Sequence, residues 1–90
     1  MAHRPRRTYE EMKHAHRERL VGYMRDLDRV EPEAWSVSFS AVRRFMHSIG
    51  AESFIIPILF DLKEEGFLRY TSPLVKGVQV YFTPRWRESA

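Results

Sequence analysis

Residues 52–66 read ESFIIPILFDLKEEG, and the architecture of the chain turns on how this stretch is read. Every side chain from Phe54 to Phe60 is apolar, and the segment ends on Leu62, Lys63, Glu64, Glu65 and Gly66. A run this short, interrupted by Pro57, falls far below the roughly 20 residues that span a bilayer. Pro57 lies within about one turn of Ser53, where a helix tolerates the loss of one backbone donor. The segment therefore predicts a helix that starts near Ser53, stops at Gly66 and is unusually apolar.

Upstream, AWSVSFS (34–40) alternates Trp35, Val37 and Phe39 with serines, the period of a short half-buried strand. Val42, Phe45, Met46 and Ile49 then recur at i, i+3, i+4 and i+7, a helix with one buried stripe, capped by Ser38 or Ser40 and closed by Gly50. Arg43, Arg44 and His47 face away from that stripe. Two short helices joined by a tight glycine-containing turn form a helix-turn-helix unit.

Further upstream, Thr8 and Glu11 have capping-box spacing and open a long helix that ends at Glu31-Pro32. Leu20, Tyr23, Met24, Leu27 and Val30 share one face. The first half, with Lys13, His14, His16, Arg17 and Arg19, is much more polar, so it is expected to protrude from the core or to pack on another chain. Downstream, FLRYT (67–71) and VQVYFT (78–83) read as two strands joined by SPLVKG, a hairpin.

The order helix, strand, helix, turn, helix, hairpin resembles the winged helix-turn-helix superfamily over about residues 18–84. LKEEGFLRY (62–70) and VYFTP (80–84) carry the likeness. The resemblance implies a mostly helical α+β fold with three helices, a short strand and a C-terminal two-stranded wing. The expected boundaries are a basic arm at 1–7, the domain at 8–84 and a tail at 85–90.

It also implies that Ile55, Ile58, Leu59 and Leu62 lie in the core, and that Phe54, Ile56, Pro57, Phe60 and Asp61 stand where such proteins read base edges. None of these five is an arginine, asparagine, glutamine or serine. Base readout needs donors and acceptors that Phe54, Ile56 and Phe60 lack.

The 90 residues carry 15 Lys+Arg against 12 Asp+Glu, and 12 of the 15 are arginine, whose fork suits phosphate and carboxylate alike. Residues 1–30 carry +3, residues 31–66 carry −3 and residues 67–90 carry +3. The charge suited to phosphate thus lies at the two ends of the chain and not on the third helix. Expected backbone contacts are Arg4, Arg6 and Arg7 in the arm, Arg43 and Arg44 on the second helix, and Arg69, Lys76, Arg85 and Arg87 around the hairpin. Tyr70 or Tyr81 could stack or bond there as well.

Ile56 and Phe60 are four apart, with Phe54 and Pro57 beside them, and together they make a second apolar stripe. A 90-residue domain buries only about 60–65% of its unfolded surface, so covering that stripe would add useful stability. Either a partner covers it, a second copy leading, or the polar half of helix one or the tail with Trp86 does so within the chain.

There is no cysteine, which excludes disulfides and thiolate metal sites and favours an intracellular setting. Asparagine is absent and Gln79 is the single glutamine, a depletion seen in proteins from hot environments. His14 and His16 do not share a helix face, so no metal or other cofactor is expected. No nucleophile sits beside a base and no glycine-rich loop is present, so no enzyme is expected.

The expected protein is cytoplasmic and non-membrane: a homodimeric double-stranded-DNA-binding domain in transcription regulation or DNA organisation. The alternatives are a protein–protein adaptor working through the apolar face of helix three, and an RNA-binding or ribosome-associated winged helix.

Overall fold

A computed structural model describes residues 8–30 and 36–88. The arm at 1–7, the helix end at Glu31-Pro32, the side chain of Val30, and Trp35 lie outside the described residues. Helix α1 runs Tyr9–Val30, strand β1 Ser36–Ser38 and helix α2 Phe39–Ser48. A single 3₁₀ turn at Glu52–Phe54 leads into α3 (Ile55–Glu64), and strands β2 (Leu68–Arg69) and β3 (Gln79–Phe82) precede a short helix α4 (Pro84–Glu88). The result is a mostly helical α+β domain with one antiparallel sheet.

Several helix ends fall where backbone groups find partners. The Thr8 hydroxyl accepts from Glu11 N–H at 3.2 Å and opens α1. Ser38, not Ser40, caps α2, its hydroxyl accepting from Ala41 N–H at 3.1 Å. Both α2 and α3 end in Schellman turns. After α2, Gly50 N–H bonds to the His47 carbonyl and Ala51 N–H to that of Met46. After α3, Gly66 N–H bonds to the Lys63 carbonyl and Phe67 N–H to that of Leu62. Gly50 and Gly66 have φ of +69° and +85°, a region side-chain-bearing residues adopt only under strain.

The sheet order is β1-β3-β2, with Val37 opposite Val80 and Leu68 opposite Phe82 on the buried face. The expected hairpin is therefore the larger part of a three-stranded sheet, and both strands are shorter than the sequence suggests. Beyond Arg69 the chain leaves β3 in an arm that returns at Gln79, and Tyr70 turns under the Lys63 ammonium, 5.0 Å from its ring centre.

The core is built from the buried stripes of all the elements. Leu20 and Met24 of α1, Val42 and Met46 of α2, and Ile55, Ile58, Leu59 and Leu62 of α3 are buried together with Leu68, Val80 and Phe82. Phe45 is partly buried and stacks on Tyr23 at 4.4 Å, locking α2 to α1.

The tail expected at 85–90 is, as far as Glu88, part of the packed helix α4. Thr83 accepts from Trp86 N–H and donates its hydroxyl to the Gly66 carbonyl, while Pro84 fills the first helical position, where its missing N–H costs nothing. Trp86 is buried, stacked on Phe82 at 5.0 Å and edge-on to Phe67. The Arg25 guanidinium lies 4.7 Å from its ring centre, and Arg87 pairs with Asp28 at 3.0 Å, so the C-terminal helix is pinned to α1.

A Cβ at Gly66 would meet Arg85 Cδ at 3.2 Å in addition to the positive φ. Gly66→Ala is expected to lower stability by about 1–2 kcal/mol in urea denaturation, whereas Gly22→Ala, on an exposed face of α1 with open space, should be neutral or stabilising.

Candidate nucleic-acid interface

Two surfaces stand out, one cationic and one apolar. The first is a concavity of about 320 Å³ between α2 and the arm that links β2 to β3, lined by Ser40, Arg43, Arg44, His47, Glu52, Lys76 and the edge of Phe39. Ser38 capping sets the start of α2, and the 3.6-residue period then places Ser40, Arg43, Arg44 and His47 on its outer side. Phe39 N–H bonds to the Val78 carbonyl at 2.9 Å, which holds the base of the arm, and hence Lys76, beside the start of the helix.

Within this cleft Arg43 Nε donates to Glu52 Oε1 at 3.0 Å, and His47 Nδ1 lies 3.5 Å from Glu52 Oε2. The hydrogen bond from Arg43 chiefly, with a lesser one from His47, holds the Glu52 carboxyl below its ordinary range against the opposing effect of desolvation. Among the described residues, neither Arg44 nor Lys76 has a carboxylate partner.

The second surface is an apolar groove of about 490 Å³, lined by Ile56, Pro57 and Phe60 of α3 and by Tyr70, Ser72, Pro73 and Leu74 of the arm. Ile56 and Phe60 are 53% and 52% exposed. Phe54, by contrast, is only 7% exposed. It was expected at a partner interface, and that assignment is corrected: Tyr9 stacks on it at 5.2 Å and His16 lies 4.9 Å away, both from α1.

The polar half of α1, expected to protrude or to pack on another chain, is tied to α3 of its own chain. Lys13 pairs with Asp61 at 2.6 Å, and the Arg17 fork grips Glu65, so α1 lies along α3 through its charges. Asp61 is thereby matched within the chain by Lys13. Ile56, Pro57 and Phe60 carry no side-chain hydrogen-bond donor or acceptor of the kind that base readout needs.

The remaining predicted contacts scatter. Arg4, Arg6 and Arg7 lie outside the described residues. Arg69 is exposed on β2 opposite Tyr81, on the outer face of the sheet. Arg85 is exposed with its guanidinium 5.1 Å from the Phe67 ring centre. Arg87 is committed to Asp28, which corrects its placement among the phosphate contacts. Tyr70 is half-buried, and burial, with Glu64 adding to it, raises its hydroxyl pKa. That leaves Tyr81 as the accessible tyrosine of the pair.

Sequence reading missed Ser40 and Glu52 as cleft residues. Ser40 was detectable, since it stands three and four residues before Arg43 and Arg44 on one helix. Glu52 was not, because its approach to α2 depends on the turn at Gly50. Among the described residues no group of three or more histidines and carboxylates is placed to hold a metal, and no helix is long and apolar enough to cross a membrane. Comparison with family models, curated proteins and solved structures found no match for the chain.

Phe54→Ala is expected to cost about 3–5 kcal/mol in urea denaturation, and Phe60→Ala less than about 1 kcal/mol, although both lie on one apolar stripe. Glu65 is held below its ordinary pKa chiefly by the hydrogen bond from Arg17. A depressed carboxylate stabilises the fold above its unfolded pKa of about 4.3 and loses that contribution as pH falls through the lower folded value. Stability followed from pH 6 to below 4 (~neutral to acid) should therefore fall less steeply in Glu65→Gln than in the wild type, by under about 1 kcal/mol for this exposed pair.

Proposed function

We propose that this chain is a winged helix-turn-helix domain that binds double-stranded DNA through the phosphate backbone, with α3 turned toward protein instead of toward bases. The order of elements, the tight turn between α2 and α3, and a sheet in which β1 joins the hairpin support the winged-helix assignment. One observation carries the DNA reading: Arg43, Arg44 and Lys76, from two separate elements, converge on one solvent-open cleft. Cationic side chains gathered in a concavity attract a polyanion more strongly than the same charges dispersed.

In this reading the cleft takes a strand of the duplex at its backbone. Arg44 and Lys76 supply charge to phosphate oxygens, Ser40 supplies a hydroxyl donor, and the Arg4, Arg6, Arg7 arm, Arg69 and Arg85 extend the contact. Such contacts position a protein on DNA without reading sequence. The function that fits is DNA organisation, or regulation in which a partner or a second DNA contact supplies specificity.

The exposure of Ile56 and Phe60 beside a groove favours a second reading as well, in which α3 joins this chain to another copy of itself or to a larger assembly. The two readings are compatible, since cleft and groove have no lining residue in common.

Arg44→Ala combined with Lys76→Ala should weaken duplex binding about tenfold at fixed salt and reduce the slope of log K against log salt by about 2. Wild-type protein that shows no salt-dependent retention of duplex DNA would remove the reading. In sedimentation, a wild-type dimer that becomes monomeric on Phe60→Glu supports self-association through α3, and a monomeric wild type excludes it.

A further inference from the structure

The cationic cleft already holds an anionic group, and it is part of the protein. Glu52 sits in the concavity with one carboxylate oxygen on Arg43 Nε at 3.0 Å and the other 3.5 Å from His47 Nδ1. Arg44, Lys76 and Ser40 line the same space. A carboxylate and a phosphodiester present the same pair of oxygens to a guanidinium fork, so a group that binds one binds the other.

Glu52 is delivered there by the backbone. The Schellman turn at Gly50 ends α2, and the 3₁₀ turn Glu52–Phe54 begins two residues later, anchored by the buried Ala51 and Phe54 on either side. The Glu52 backbone is therefore held against α2, while its side chain, nearly half exposed, is free to swing away.

We infer, building on the DNA reading above, that Glu52 is a resident competitor for one phosphate site, occupying Arg43 and His47 in the free protein and yielding them to a DNA phosphate on binding. The site takes a single phosphodiester. Its donors are the Arg43 guanidinium and the His47 imidazole, flanked by Arg44, Lys76 and the Ser40 hydroxyl.

Glu52 lowers affinity for any stray anion. It also gives the cleft a threshold, since only a polyanion that engages Arg44 and Lys76 at the same time gains enough to displace it. An ion pair this exposed is weak enough to be exchanged. The next acids along the chain, Asp61, Glu64 and Glu65, do not line the cleft, and Asp61 and Glu65 pair with Lys13 and Arg17.

The test is fluorescence anisotropy of a short mixed-sequence duplex, titrated over a salt series with full-length wild type, Glu52→Gln, Glu64→Gln, Arg43→Ala and the Arg43→Ala, Glu52→Gln double variant. Glu64 is exposed on α3 and does not line the cleft, so Glu64→Gln removes the same charge elsewhere.

Glu52→Gln should bind about 3–5-fold tighter than wild type and with a salt slope steeper by about 1, Glu64→Gln should change Kd less than about 2-fold, and the double variant should lose the gain. Wild type and Glu52→Gln binding with equal Kd and slope would overturn the competitor role and leave the DNA reading intact. An equal gain from Glu64→Gln would overturn it also, reducing the effect to net charge. Failure of both wild type and Glu52→Gln to retain duplex would overturn the competitor role and the DNA reading together.

Discussion

The junction at Gly66 holds three parts of this protein in register. There α3 stops, because a positive φ lets Gly66 N–H and Phe67 N–H return to the Lys63 and Leu62 carbonyls. The Gly66 carbonyl takes the Thr83 hydroxyl, the Phe67 carbonyl takes Thr83 N–H at 3.1 Å, and Thr83 in turn caps α4. One turn thus fixes where α3 ends, where β3 ends and where Trp86 enters the core. The same device at Gly50 sets the angle between α2 and α3, and by doing so sets Glu52 beside Arg43. Both surfaces of interest, the cationic cleft and the apolar groove, inherit their geometry from these two glycine turns.

With α3 fixed in this way, its two faces are divided unequally. Ile55, Ile58, Leu59 and Leu62 face the core, and Phe54 is shielded by Tyr9 and His16. Asp61 and Glu65 are matched by Lys13 and Arg17 from α1. What remains to solvent at the start of the helix is Ile56 and Phe60, side chains that can neither donate nor accept a hydrogen bond. This division agrees with the proposal that nucleic-acid contacts lie on α2 and the arm between β2 and β3 while α3 serves packing.

Much of this was legible in the residues. The periodicity of Val42, Phe45, Met46 and Ile49 located α2, and the LKEEG ending located the end of α3 at Gly66, where the structure places a Schellman turn with Leu62 buried at its C3 position. Thr83-Pro84 was an equally good start signal for α4, but Trp86 so close to the end of the chain invited a tail reading, and five-residue helices leave no periodicity to detect. Phe54 was misplaced for a different reason. Its neighbours in sequence are apolar on both faces, and only the approach of α1, which brings Tyr9 and His16 over it, decides which phenylalanine is covered. Of the cleft, Arg43 and Arg44 were evident as neighbours on one helix, and Lys76 as a turn residue, but their meeting depends on the Phe39–Val78 backbone bond. Arg87 could not be told from Arg85 without seeing Asp28.

In the proposed reading, the α2 cleft and the arm between β2 and β3, and not the exposed face of α3, meet the DNA backbone. Backbone amide chemical shifts of the isotope-labelled protein, followed while a short duplex is titrated in, report the contact surface residue by residue. The largest shifts are expected at Ser40–His47 and Val75–Gly77, with Ile56–Phe60 unmoved. Shifts concentrated at Ile56–Phe60, with the cleft amides unmoved, would contradict it.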